Sequence, residues 1–129
     1  MSTPQQPVDR YAKFLGIEVT GHGGGRAVAT ATVTEDHLNP HDTTHGAFVF
    51  AMAGTAVAAA ANDDEHTGVA SAIHIDYLRP TRLGDVLRAE ASVGERLPKE
   101  DLFVIRVTDA DDQVIARATA RFTRRARAR

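Results

Sequence analysis

The chain contains no cysteine. Disulfides and thiolate chemistry are therefore excluded, and a reducing compartment is consistent with the composition. Aromatic residues make up only 5% of the 129 positions and the formal net charge is −2. There is neither a base-stacking surface nor an overall basic field, so nucleic acid is not an expected partner. Repeats, heptads and low-complexity tracts are also missing. The longest apolar run, Ala47 to Ala61, spans 15 residues and includes Gly54 and Thr55, short of the roughly 20 needed to cross a bilayer. It reads as a core helix, with no membrane as partner. Met1 to Arg10 carries two prolines and no apolar run, unlike an export signal, so a cytoplasmic protein is expected.

A chain of this length suits one domain. Residues 1–7, polar and proline-bearing, read as an N-terminal tail, and 124–129, alternating arginine with alanine, as a basic C-terminal tail. Between them, residues 8–123 form the expected domain. Val8 to Leu15 reads as a short helix ended by Gly16, followed by a brief strand, Ile17 to Thr20, and a turn at His22-Gly23-Gly24-Gly25. With no helix or lysine after it, that glycine cluster is no phosphate loop. Alternating apolar residues predict strands at Arg26 to Thr34, Val69 to Leu78, Val86 to Arg96, Leu102 to Thr108 and Val114 to Thr123. In the last three, Leu87/Ala89/Ala91/Val93, Phe103/Ile105/Val107 and Val114/Ala116/Ala118/Ala120/Phe122 share one core face. Arg88, Glu90, Arg106, Arg117 and Arg121 point away.

The segment richest in chemistry runs from His37 to Ala47 and opens directly into the alanine-rich helix. A polar histidine loop at the positive end of a buried helix dipole is suited to holding an oxyanion. His37, His41 and His45 are spaced four apart, as zinc ligands on a helix would be. Asn39-Pro40 interrupts any such helix and no adjacent glutamate supplies a base, so no metal site is expected. His74, beside Asp76, reads as a surface or interface histidine. The Asp109, Asp111, Asp112 cluster lacks the glycine and glutamate of a calcium loop and reads as a solvated turn.

A helix apolar on every side must be surrounded, and a curved antiparallel sheet does this with short connections. The expected class is therefore α+β, six strands around one helix at about 45–61. This arrangement resembles the hotdog fold. Asn39-x-His41-x-Thr43-x-His45-Gly46, followed by Phe50-Ala51-Met52-Ala53-x-Thr55-Ala56 and Asn62, resembles the PaaI-type acyl-CoA thioesterases. Ile75-Asp76-Tyr77-Leu78-Arg79-Pro80 with Gly84-Asp85 is similar to a strand and bend of that family. The resemblance extends from about Tyr11 to Phe122.

The resemblance implies hydrolysis of the thioester of an aromatic or short- to medium-chain acyl-CoA, or of an acyl carrier protein. Coenzyme A enters only as part of the substrate, with no metal or covalent cofactor. The Gly46 amide would polarise the carbonyl and stabilise the oxyanion, His45 would fix that turn, and Asn39 would orient substrate or water. Ala47, Phe48, Gly54 and Thr55 would line the substrate site, and Arg79, Pro80 and Arg82 would meet the coenzyme A phosphates. Exposed strand edges, together with the resemblance, imply a homodimer or homotetramer, in which Asn62 to Glu65 of a second chain could complete the site.

One departure stands out. Nine positions after His45 the family carries an acidic base or nucleophile, and here that position is Gly54. The second glycine of the family's motif is Ala47, and Ala58 stands where some relatives have a hydroxyl. Asp63 and Asp64 lie nine and ten residues beyond Gly54, about 14 Å along a helix, too far to substitute within one chain. Asp42 has two readings: it orients His41 or His45 as a base, or it caps the following helix. Thr43, Thr44 and Thr55 offer hydroxyls, but an unassisted threonine is a weak nucleophile. Gly54 itself reads either as added pocket volume or as close packing. The alternatives to a thioesterase are a noncatalytic acyl-CoA-binding or accessory protein, or other thioester chemistry at the same site.

Overall fold

A computed structural model describes residues 8–63 and 66–126. The expected tail 1–7, residues 127–129, Asp64 and Glu65 lie outside the described residues. Helix α1 (Arg10–Leu15) is capped by Asp9, whose side chain accepts from the Ala12 amide at 2.9 Å, and is ended by Gly16 at φ 79°. Strands β1 (Glu18–Gly23) and β2 (Arg26–Thr32) form a hairpin. A short 3-10 turn, Glu35–His37, leads to helix α2 (Gly46–Ala61), followed by β3 (His66–Tyr77), β4 (Val86–Arg96), β5 (Glu100–Thr108) and β6 (Val114–Ala126). The six strands make one antiparallel sheet in the order β1-β2-β4-β5-β6-β3, leaving β1 and β3 at the edges. Irregularities in β1, β3, β4 and at the start of β6 interrupt the ladders, and such bulges add the local twist and bend that let a sheet curve. This is the six-stranded sheet and long helix of the hotdog fold.

The alternation seen in the sequence maps onto the two faces of the sheet. Ala27, Ala29 and Ala31 of β2, Leu87, Ala89 and Ala91 of β4, Phe103, Ile105 and Val107 of β5, and Ala116, Ala118, Ala120 and Phe122 of β6 are buried against α2. Alanine dominates both surfaces, so backbones approach closely without large side chains between them. Ile115, not Val114, is the buried residue at the start of β6, beside the register shift there. The sheet does not enclose α2 on every side as expected. Phe50 is exposed, and Ala51, Gly54 and Ala58 are half-buried along one stripe of the helix. At the far end, Asn62 Nδ2 donates to the Ala58 carbonyl at 2.8 Å, and Asn62 Oδ1 accepts from the Gly68 amide at 3.2 Å. Gly68 is required there, since a Cβ would lie 2.8 Å from that of Ala61. Among the described residues, no helix is long and apolar enough to cross a membrane.

Residues 124–126, expected in the basic tail, belong instead to β6, which continues to Ala126. Its extension has an electrostatic cause that sequence alternation does not display. Asp101 is only 3% exposed and lies between two guanidinium groups: Arg96 donates to it at 2.8 Å, and Arg124 donates to its other oxygen. Arg124 also donates to the Leu97 carbonyl at 2.7 Å, and its amide donates to Lys99 O at 2.8 Å. The end of β6 is thereby fastened to the β4–β5 hairpin. Removing one partner of a buried carboxylate is costly, while Arg96 retains part of the compensation. Arg124→Ala should therefore lower the unfolding free energy by about 2 kcal/mol in urea titrations.

Candidate active site

The loop before α2 is held by its own side chains. Asn39 Oδ1 accepts from the amides of His41 at 2.8 Å and Thr43 at 3.3 Å, while Nδ2 donates to Thr43 Oγ1 at 2.7 Å. Asp42 is exposed and turns the chain at φ 62°, a left-handed conformation that Asp tolerates. It does not cap the helix, correcting one expectation: Asp42 stands three residues too early, and the cap is His45. His45 Nδ1 accepts from the Ala47 amide at 2.9 Å, which assigns the proton of the neutral ring to Nε2.

Two further anchors fix the loop from beneath. His37 is buried; its Nδ1 accepts from the Thr34 amide at 3.0 Å, and Nε2 donates to the Leu15 carbonyl at 2.7 Å. Its carbonyl accepts from the His45 amide at 2.7 Å, and its ring stacks on Phe48 with centroids 3.7 Å apart. Phe48, expected to line the substrate site, is instead a core residue, 4% exposed, because the loop folds His37 over it. On the other side the Thr44 amide donates to Thr81 O at 2.8 Å, and Thr81 Oγ1 donates to Thr44 Oγ1 at 2.7 Å, both residues being buried. The Arg79–Arg82 bend is thus tied to the histidine loop.

These restraints deliver the first turn of α2 with one donor left over. The Phe48 and Val49 amides both donate to His45 O, at 3.0 and 3.3 Å, and the Ala47 amide donates to His45 Nδ1. For the Gly46 amide there is no acceptor among the described residues. It stands at the positive end of a 16-residue helix, where a partial negative charge is stabilised. Tyr77, at the end of β3, covers this turn: its hydroxyl donates to the Gly46 carbonyl at 2.9 Å. A Cβ on Gly46 would lie 3.3 Å from the Tyr77 ring, so the close approach favours glycine.

The expected site residues divide among separate surfaces. Gly46, Arg79 and Pro80 line one cavity of about 320 Å³ with Thr43, Tyr77 and Ile115. Asn39, Asp42 and Arg82 line another, about 610 Å³. Thr55 borders a third, about 670 Å³, between α1 and the last turns of α2. Gly54 is half-buried on the uncovered stripe of the helix, and Ala47 is exposed. Arg79 and Arg82 are exposed, and neither has an acidic partner among the described residues. Tyr77 was not among the expected site residues; its only signal was membership of the Ile75–Pro80 motif. Among the described residues there is no cluster of three metal-ligating side chains. His37 and His45 each spend a ring nitrogen on a backbone amide. His74 Nε2 donates to Asp76 Oδ1 at 3.0 Å on the exposed face of β3, and Asp109 folds its turn by accepting from the Asp111 and Gln113 amides at 2.9 and 3.0 Å.

A six-stranded antiparallel sheet packed against one long helix is the architecture of a hotdog protein. Residues 41–116 match the Thioesterase superfamily, and the chain belongs to it. It is 39% identical over 108 residues to the acyl-coenzyme A thioesterase PaaI of Escherichia coli, covering 84% of this chain and 77% of that one. The solved structure of the E. coli PaaI protein from the phenylacetic acid degradation operon superposes with a TM-score of 0.87 at 37% identity, covering 91% of this chain and 85% of that one. A point mutant of the phenylacetic acid degradation protein PaaI from Thermus thermophilus gives 0.85 at 30% identity, covering 89% and 98%.

Packing within the chain does not account for Gly54. A Cβ there would meet no heavy atom within 4 Å, leaving out the glycine's chain neighbours and the nearby helix backbone. Gly54→Ala should therefore raise the unfolding free energy by about 0.5–1 kcal/mol, the helix-propensity difference, in chemical denaturation. A loss instead of a gain would mean that a second chain packs against this position.

Proposed function

We propose that this protein hydrolyses the thioester of an aromatic or short- to medium-chain acyl-CoA, or of an acyl carrier protein, at the N-terminus of α2. The observation that carries the reading is the Gly46 amide, which has no acceptor among the described residues and belongs to a residue lining a cavity at the helix N-terminus, in a chain belonging to the Thioesterase superfamily. Its similarity to the E. coli acyl-coenzyme A thioesterase supports coenzyme A as the carrier. The thioester oxygen accepts from Gly46 N–H; water adds to the carbonyl carbon; the tetrahedral oxyanion collapses and the thiolate leaves, taking up a proton. A preorganised donor of this kind contributes roughly 3 kcal/mol to the transition state. His45 fixes the turn, and Asn39 holds Thr43, whose hydroxyl borders the cavity. Arg79 and Arg82 offer unpaired guanidinium groups to the phosphates of coenzyme A.

The acting unit in this reading is a homodimer or homotetramer. Gly46 and Gly54 are eight residues apart on one helix, about 12 Å, so the two cannot flank one thioester within a chain. The 12-residue edge strand β3 and the uncovered stripe Phe50, Ala51, Gly54 and Ala58 are surfaces a second copy would cover. Light scattering should give at least twice the chain mass.

A second reading, an acyl-CoA-binding protein without hydrolysis, is favoured by the bare Gly54. General-base assistance contributes about 10²- to 10⁴-fold, so its loss leaves a slow enzyme or none. Thiol release from a panel of aromatic and aliphatic acyl-CoAs decides between them. Turnover by the native protein, raised about 10²-fold or more by Gly54→Asp, is the expected result; tight binding with release only from Gly54→Asp would favour the binding protein. Asp42→Asn should leave turnover unchanged, since Asp42 is exposed and borders the cavity that excludes Gly46.

A further inference from the structure

We infer that Tyr77 is a positioning residue for the Gly46 amide, acting through the adjacent peptide unit; this rests on the thioester reading of that amide. The peptide joining Gly46 to Ala47 is held at both ends. Its carbonyl oxygen accepts from the Tyr77 hydroxyl at 2.9 Å, and its N–H donates to His45 Nδ1 at 2.9 Å. The preceding carbonyl, that of His45, is engaged by the Phe48 and Val49 amides. With both neighbouring hydrogen-bonding groups occupied, the peptide plane carrying Gly46 N–H has little freedom to rotate, and that N–H keeps one direction.

The phenol ring adds a steric restraint to the polar one. It lies so near the Gly46 α-carbon that a Cβ there would be 3.3 Å from the ring and 3.4 Å from its oxygen. The ring also walls the cavity that the free amide borders. Tyr77 does not donate to a substrate oxygen in this arrangement, because its single proton is directed to the Gly46 carbonyl. Its effect is on geometry. Misplacing a reacting group by about 1 Å can cost up to about 10²-fold, and the loss falls on the chemical step more than on binding.

Tyr77→Phe keeps the ring and removes only the hydroxyl, so folding is retained and the test is specific. Two quantities are measured on the full chain: thiol release from the best acyl-CoA of the panel, and hydrogen exchange at the Ala47 amide by NMR. The expected result is a fall of about tenfold in kcat with KM within twofold, and several-fold faster exchange at Ala47. Unchanged kcat, or a change confined to KM, overturns the inference. If the native protein releases no thiol from any acyl-CoA, the thioesterase reading fails separately. The clamp is then judged by exchange alone, and an Ala47 amide equally protected in both proteins overturns it.

Discussion

An α-helix cannot satisfy the amides of its own first turn, and the site follows from that constraint. Helix α2 begins near the surface, with His45 and Ala47 exposed and Gly46 half-buried. The sequence supplies acceptors from one residue: His45 offers both its carbonyl and its imidazole nitrogen to the amides that follow. Three donors are thereby accommodated, and the fourth, on Gly46, has no acceptor among the described residues. The anchors beneath, His37 through Leu15, Thr34 and Phe48, and Thr44 through Thr81, keep this arrangement from relaxing into a more fully paired one.

Both facing surfaces of helix and sheet are built largely from alanine, which lets α2 lie close to β2, β4 and β6. Small residues on α2 also leave one stripe low in relief, where the sheet provides no cover.

Much of this could be read in the sequence, and the failures have physical causes. Period-two alternation located β2, β4, β5 and β6, each of which has one face on the core, and the apolar run gave α2 within a residue of its observed start. Boundaries failed where a polar interaction between distant residues set them. Arg124 extends β6 because Asp101, 23 positions away, is buried beside it, and arginine alternating with alanine looks like a solvated tail without that partner. Phe48 was misplaced because its burial depends on His37 folding back over the helix. Tyr77 was overlooked because its bond to Gly46 spans 31 positions and has no local periodicity. The loop residues Asn39 and Asp42 were visible as a motif, but sequence adjacency to Gly46 did not mean a shared cavity.

The missing acid and the retained donor pull the function in different directions, and their magnitudes are similar. Positioned base catalysis is worth about 3–5 kcal/mol at 10²- to 10⁴-fold, and one preorganised oxyanion donor roughly 3 kcal/mol. In the thioesterase reading, Gly54 would remove about as much as Gly46 would supply, which is why the acyl-binding reading competes with hydrolysis. His45 and Tyr77 are both committed to the peptide that follows Gly46. In the hydrolytic reading this orients a donor at a helix N-terminus toward an oxygen that gains negative charge as its carbonyl is attacked, the step at which such a donor contributes most.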